Sequence, residues 1–289
     1  MQKKRAILAL KRTLFSALAV LIIVVLTIPA MLYFNQEELI FFPTKLPANY
    51  VFRFNTTFQE RYISTPDGPR LHGLLFKADS PKGLIFYLHG NAGGLETWGD
   101  LAETYTSLNY DIFMLDYRGY GKSEGKISSE KQFHDDVQAA YDLVKTEYPD
   151  ENIVVLGYSI GTGTAARLAA YNQPKMLILQ SPYYSLVDLA QKLYPMVPAA
   201  IIKYKFMTHE YVEKTQAPVV LIHGDKDEVI YYGSSLKLKE HLKPEDQLIT
   251  LPGQLHNGFT QNPEYLEVLQ QLLTRPEKQA EVRISPVVN

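Results

Sequence analysis

The hydrophobic positions of this chain change rhythm along its length. From Thr13 to Gln36 no residue is charged, and Leu14 to Phe34 is almost continuously apolar. As a helix, that run reaches across the about 30 Å hydrocarbon layer of a bilayer, so it predicts one transmembrane helix over 13–36. After a stretch punctuated by Pro43 and Pro47, the residues from Phe52 to Thr65 and from Arg70 to Phe76 read as strands. The turn Thr65-Pro66-Asp67-Gly68-Pro69 between them predicts an antiparallel opening. Short apolar runs then alternate with amphipathic ones. Strands are expected at Leu84 to Leu88, Asp111 to Leu115, Ile153 to Leu156, Met176 to Gln180, Pro218 to Ile222 and Gln247 to Leu251. Helices are expected at Leu95 to Leu108, Glu130 to Glu147, Thr162 to Ala170, Ser234 to Leu242 and Pro263 to Leu273. Such alternation predicts an α/β fold with a mainly parallel sheet and helices on both faces.

Segment 181–217 breaks the rhythm. It carries many large residues, among them Tyr183, Tyr194, Met196, Tyr204 and Phe206, and is too long for a simple connection. A small lid is expected there, or a helix or two packed on the core edge. The expected organisation is a basic cytoplasmic N-terminus (1–12), the anchor (13–36), a linker (37–51), a folded domain (52–273) and a polar, mobile tail (274–289).

Composition narrows the picture by exclusion. The chain has 289 residues, 46% hydrophobic and 21% charged, with a formal net charge of -2, which suits one sizeable core and gives no sign of nucleic-acid binding. There is no cysteine, so disulfides, thiolate zinc sites and cysteine nucleophiles are excluded. Lys3, Lys4, Arg5, Lys11 and Arg12 precede the apolar run and Glu37 and Glu38 follow it, which leaves the N-terminus in the cytoplasm and the folded domain across the membrane. A cleaved signal peptide is the competing reading. Against it, the run exceeds a usual signal core and Ile28-Pro29-Ala30 lacks the small residue wanted before a cleavage site. Tyr33, Phe41 and Phe42 are placed for an interfacial aromatic belt.

The chemistry concentrates around Gly157-Tyr158-Ser159-Ile160-Gly161, which follows an apolar β-branched run and opens an alanine-rich helical one. A serine between strand and helix, bounded by glycines, has the pattern of a nucleophile elbow. Its hydroxyl needs a base within hydrogen-bond reach and a carboxylate to orient that base. Of seven histidines, His256 lies just past the last strand in a glycine-bounded loop, where it can converge on the serine. His72, His134, His209 and His241 are expected to face solvent, and His89 to brace a loop. After the strand ending at Ile222, the loop His223 to Ile230 offers three acids, Asp225, Asp227 and Glu228. The amide of Ile160, directly after the serine, is a candidate oxyanion donor. Neither GxxxxGK(S/T) nor GxGxxG occurs in the loop His89 to Gly94, and no HExxH is evident, so no cofactor and no metal are expected.

Four stretches together, GYSIG, HGNAGG (89–94), DYRGYGKS (116–123) and HGDKDEVI (223–230), resemble landmarks of the α/β-hydrolase superfamily. The resemblance covers roughly Phe52 to Leu273 and omits the anchor and the tail. It implies Ser159, Asp227 and His256 as the triad, leaving Asp225 to shape its loop, and it implies the Asn91 amide as the second oxyanion donor beside Ile160. The chain is most similar to a small-lid, membrane-tethered branch like the eukaryotic membrane-associated serine hydrolases, some of which deacylate lipidated proteins. The implied activity is cleavage of a small acyl ester, a thioester or an acylated substrate. A peptidase or amidase is a second implication, and a non-catalytic binder on the same scaffold a third.

Overall fold

The computed structural model describes residues 2–274; within its first helix the side chains of residues 2–4, 6, 7, 9, 10, 19–22, 24 and 26 lie outside the description. The chain runs through α1 (Gln2–Phe34), α2 (Gln36–Ile40), β1 (Phe42–Pro43), β2 (Phe58–Ser64), β3 (Arg70–Phe76), β4 (Leu84–Leu88), β5 (Ala92–Gly93), α3 (Leu95–Trp98) and α4 (Ala102–Thr106). There follow β6 (Asp111–Asp116), α5 (Glu130–Lys145), β7 (Ile153–Tyr158), α6 (Gly161–Tyr171), β8 (Met176–Gln180), α7 (Leu186–Leu193) and α8 (Thr208–Lys214). The described chain ends with β9 (Val219–Gly224), α9 (Gly233–Lys239), β10 (Gln247–Leu251) and α10 (Pro263–Thr274). The tail expected from 275 onward lies outside the described residues.

Eight strands form one sheet in the order β10-β9-β8-β7-β4-β6-β3-β2. The β2/β3 and β3/β6 pairs are antiparallel and the others parallel. Parallel neighbours need crossovers, and these lay helices on both faces. Alternating residues of β7 divide accordingly. Ile153 and Val155 join a core with α5, α6 and α9, while Val154, Leu156 and Tyr158 join another with α3, α4 and α10.

Several elements depart from expectation for packing reasons. The strand expected from Phe52 begins only at Phe58, as β2, because Phe52 turns inward and stacks on His72 with ring centroids 5.4 Å apart. The helix expected from Leu95 to Leu108 is broken into α3, a 3-10 turn (Gly99–Leu101) and α4. Two histidines expected to face solvent do not. His72 is buried between Glu60 (2.9 Å) and Asp116 (3.3 Å), and His134 is buried with Thr164 and Glu130 as partners. His209 is half-buried and stacks on Tyr184 at 4.1 Å, and His241 bonds the Tyr184 hydroxyl at 3.2 Å. A single polar face on a short helix does not say which neighbour will cover it.

Segment 181–217 contains α7, a 3-10 turn (Ala199–Ile201) and α8. Its Tyr183, Tyr204, Phe206 and Val212 are buried in the core, whereas Tyr194 and Met196 are exposed. It is both core edge and surface flap.

The N-terminal region corrects the linker reading of 37–51. Gln36 and Phe41 are buried, and the Phe41 ring packs against Phe133 and Tyr204 with centroids 5.5 Å from each. Phe41 is therefore unavailable for an interfacial belt. Among the described residues no helix is long and apolar enough to cross a membrane; residues 19–22, 24 and 26, in the middle of the expected span, fall outside those whose side chains are described.

Burying a phenylalanine in contact with two rings is worth about 3–5 kcal/mol on truncation. Phe41→Ala should lower the urea midpoint at unchanged slope, whereas a free linker would leave the midpoint where it was.

Candidate active site

The turn between β7 and α6 is tight enough to be sterically exclusive. Ser159 has φ 54°, a left-handed conformation costly for a residue with a side chain. A Cβ on Gly157 would lie 2.6 Å from the Ala165 Cβ, and one on Gly161 would lie 2.3 Å from the Leu88 carbonyl oxygen. Glycine at both positions lets α6 start directly against β4 and β7. The Ser159 amide donates to the Gln180 carbonyl (3.0 Å), fastening the turn to β8.

Ser159, His256 and Asp227 meet at the C-terminal edge of the sheet, from three separate connections. His256 Nε2 lies 3.1 Å from Ser159 Oγ, and His256 Nδ1 lies 2.8 Å from Asp227 Oδ2. Because the carboxylate can only accept, Nδ1 carries the proton and Nε2 is left to accept from the serine hydroxyl. All three residues form a nearly enclosed row, with Ser159 and His256 buried and the Asp227 side chain fully so.

Asp227 is saturated with donors. Its Oδ2 also receives His223 Nε2 (3.1 Å), and its Oδ1 receives the backbone N–H groups of Val229 (2.9 Å) and Ile230 (2.8 Å). Burial alone would raise its pKa. The hydrogen bonds from His223 and His256, with the charge of His256 and the Ile230 amide, outweigh burial and hold the carboxyl well below the usual carboxylate range. His223, whose role the chain pattern left open, is thus the second support of this acid, its Nδ1 being held by Ser235 Oγ at 2.7 Å. The alternatives lie elsewhere. Asp225 accepts the Gly253 amide (2.7 Å) across the β9 and β10 loops, and Glu228 accepts the His256 amide (3.3 Å).

Tyr158 went unnoticed in the sequence because it occupies an ordinary apolar strand position. Its ring lies 5.3 Å from that of His256, and its hydroxyl donates to the His256 carbonyl (2.8 Å) and to Asn257 Oδ1 (2.9 Å). Burial, with the nearby Asp227 and Glu228 carboxylates, pushes the phenol up, so it stays a donor. Behind it lies a cavity of about 120 Å³ lined by Tyr87, Trp98, Tyr105, Phe259 and others, which no side chain of Ser159, Asp227 or His256 reaches.

Asn91 lies in the loop between β4 and β5, and Ile160 directly follows Ser159 at the start of α6. Among the described hydrogen bonds neither amide donates to a protein acceptor. His89 braces the Asn91 loop, its Nδ1 donating to the Gly90 carbonyl at 2.7 Å and its own carbonyl accepting from Tyr117 (2.9 Å). Burial lowers the His89 pKa against the pull of Asp116 and of the Gly90 and Leu115 carbonyls, which favours the neutral ring.

With this geometry in place, comparison with known proteins is decisive. Residues 79–210 match the family model described as serine aminopeptidase, S33. Alpha/beta hydrolase domain-containing protein 17B of Homo sapiens is 33% identical over 219 residues, covering 73% of this chain and 73% of that protein. The chain belongs to the α/β-hydrolase superfamily. The 17C protein of Xenopus tropicalis is 33% identical over 210 residues, covering 70% of this chain and 66% of its own length. The chain spans about two thirds of the length of this and similar relatives, at 65 to 66%. Among solved structures, the Pyrococcus furiosus esterase Pf2001 superposes with a TM-score of 0.64 at 19% identity, covering 81% of this chain and 97% of that one. Est1E of Butyrivibrio proteoclasticus, solved with ferulic acid bound, gives a TM-score of 0.58 at 25% identity, covering 74% and 96%.

Two buried histidines of this hydrolase fold should make its stability pH-dependent. Burial lowers the pKa of His89, and burial with the nearby Arg167 lowers that of His134 despite Glu130. In the unfolded chain both return to about 6.5, so acid favours the unfolded state, which binds more protons. Their contribution is present above about pH 6.5 and is lost as pH falls through the lower folded values. Thermal melting followed from about pH 7.5 to about 5.5 should show a falling Tm, with a shallower fall in His134→Gln; an equal slope in that variant would discount His134.

Proposed function

We propose that this chain is a membrane-anchored serine hydrolase that cleaves a carboxylic ester or thioester through an acyl-enzyme on Ser159. The observation that carries the reading is the unbroken hydrogen-bonded row from Ser159 Oγ through His256 to Asp227. His256 takes the serine proton as Oγ attacks the acyl carbonyl, and Asp227 holds the imidazole in the required tautomer and offsets its charge. The amides of Asn91 and Ile160 receive the oxyanion. His256 then returns the proton to the departing alcohol or thiol, and a water repeats the sequence to release the acid. The hydrolase family and the esterase neighbours support this class. The carboxylic acid bound in Est1E is compatible with an acyl product.

The anchor reading rests on the uncharged run Thr13 to Gln36 and on the helical path of α1. A further contact supports a site near the membrane surface. At the start of α2, two residues after α1 ends, the Gln36 side chain donates to the Ile201 carbonyl (2.6 Å) and accepts from the Lys203 amide (2.8 Å), so the 181–217 segment is held beside the end of α1. The N-terminus is assigned to the cytoplasm and the hydrolase domain to the far side, from the basic residues that precede the run. The serine aminopeptidase family match favours amide cleavage as the second reading.

Ser159→Ala should abolish fluorophosphonate labelling and ester turnover, and Asp227→Asn should lower kcat by about 10³- to 10⁴-fold by reversing the tautomer of His256. Turnover assays on acyl chains from acetyl to palmitoyl, with oxygen esters, thioesters and peptide amides in parallel, decide the substrate class. A profile led by amides would overturn the ester reading, and labelling undiminished in Ser159→Ala would place the nucleophile elsewhere.

A further inference from the structure

The segment that leaves α1 touches the active-site frame directly. β1 pairs in parallel with β5, placing Phe42 against Ala92 and Pro43 against Gly93. The Phe42 amide donates to the Asn91 carbonyl at 2.8 Å, the Tyr120 hydroxyl donates to the same oxygen at 2.7 Å, and Asn91 Nδ2 donates to the Ile40 carbonyl at 3.3 Å. On the other side of β1, the Gly121 amide donates to the Thr44 carbonyl (2.8 Å) and the Leu46 amide to the Gly121 carbonyl (2.9 Å). The segment is thus wedged between the Asn91 loop and the turn that carries Tyr120.

Peptide units are planar, so holding a carbonyl oxygen holds the whole unit. The unit carrying the Asn91 N–H is held by His89 through the Gly90 carbonyl. The next unit, between Asn91 and Ala92, is held by Phe42 and Tyr120. With both units and the side chain fastened, Asn91 has no free backbone torsion, and its N–H points in one direction. Fastening of this kind matters at an oxyanion donor, because such donors act through being aimed beforehand.

The other end of the segment is itself secured. Glu37 pairs with Lys203 (2.8 Å) and accepts from the Tyr204 hydroxyl (2.8 Å), and Phe41 is buried beside Tyr204. Burial raises the Glu37 pKa, but Lys203 and Tyr204 outweigh it and lower the value, keeping the carboxylate charged.

We propose that residues Ile40 to Thr44, with Tyr120, are positioning residues that aim the Asn91 amide, so the chain just after α1 is part of the catalytic frame and ties it to the 181–217 segment. The inference rests on the proposed role of the Asn91 amide. It is tested on the full chain in detergent. Phe42→Pro deletes the donor; Phe41 already has φ -115° and ψ 125°, the extended shape that a following proline requires. Phe42→Ala keeps the N–H and controls for the side chain. Tyr120→Phe deletes a single oxygen and decides the matter if Phe42→Pro does not fold by circular dichroism.

Because losing an oxyanion donor outright costs about 10²- to 10³-fold in kcat, misaiming one should cost about 10-fold in Phe42→Pro relative to Phe42→Ala, and several-fold in Tyr120→Phe. KM on a short-chain ester should stay within about twofold, and affinity for a boronic acid, which forms a tetrahedral adduct on the serine, should fall in step with kcat. Folded variants with unchanged kcat, or with reduced kcat but unchanged boronic acid affinity, would overturn the positioning role. Absence of turnover dependent on Ser159 in the unaltered chain would instead overturn the hydrolase reading and this inference with it.

Discussion

The buried carboxylate of Asp227 is the constraint around which the site is arranged. A charge taken out of water is tolerated only when its lone pairs are met, and here two histidines and two backbone amides meet them. Meeting them dictates the path of the chain. The turn after β9 must curl so that Val229 and Ile230 point their amides at Oδ1, His223 must leave the strand end with Nε2 inward, and the loop after β10 must bring His256 over the carboxylate. Asp225 and Glu228 tie these loops together, one accepting from the Gly253 amide and the other from the His256 amide. Once His256 is so held, its outer nitrogen has one place to go, and Ser159 occupies it.

The serine reaches that place through a second constraint, this one steric. A helix can begin directly beneath the nucleophile only if the residues on either side of the turn carry no side chain, and Gly157 and Gly161 sit within contact distance of Ala165 and Leu88. The strained φ of Ser159 is offset by the bond of its amide to β8 and by the packing of α6 on the sheet. Electrostatic demand in the loops and steric demand at the turn therefore converge on one point at the sheet edge. This is where parallel strands with crossover helices leave their connections free to vary.

The segment after α1 joins this frame. A stretch with two prolines and little periodicity looks like a tether, yet Gln36, Glu37 and Phe41 fasten it to the 181–217 segment and β1 fastens it to the Asn91 loop. Each contact spans a long separation in sequence and leaves no periodic trace. The same applies to His72 and His134, which sit on polar strand or helix positions but are covered by Phe52, Glu60 and Phe206.

By itself, the sequence determined the order and type of the main elements, because apolar periods of two and of about 3.6 residues report local geometry. It also determined the chemistry available near the sheet edge: a glycine-bounded serine after one strand, an acidic loop after another, and a histidine after the last. Local pattern could not choose among Asp225, Asp227 and Glu228, which differ by at most three positions; only the family resemblance pointed to Asp227, and the tertiary structure shows why, by where the turn aims each carboxylate. Tertiary structure alone brought in His223 and Tyr158, whose strand positions are indistinguishable from core, and it alone made a structural element of the residues before Val51. The reason is common to all of these. Periodicity records which face of an element is buried, whereas partners across the fold are chosen by packing and by the need to satisfy every buried polar group.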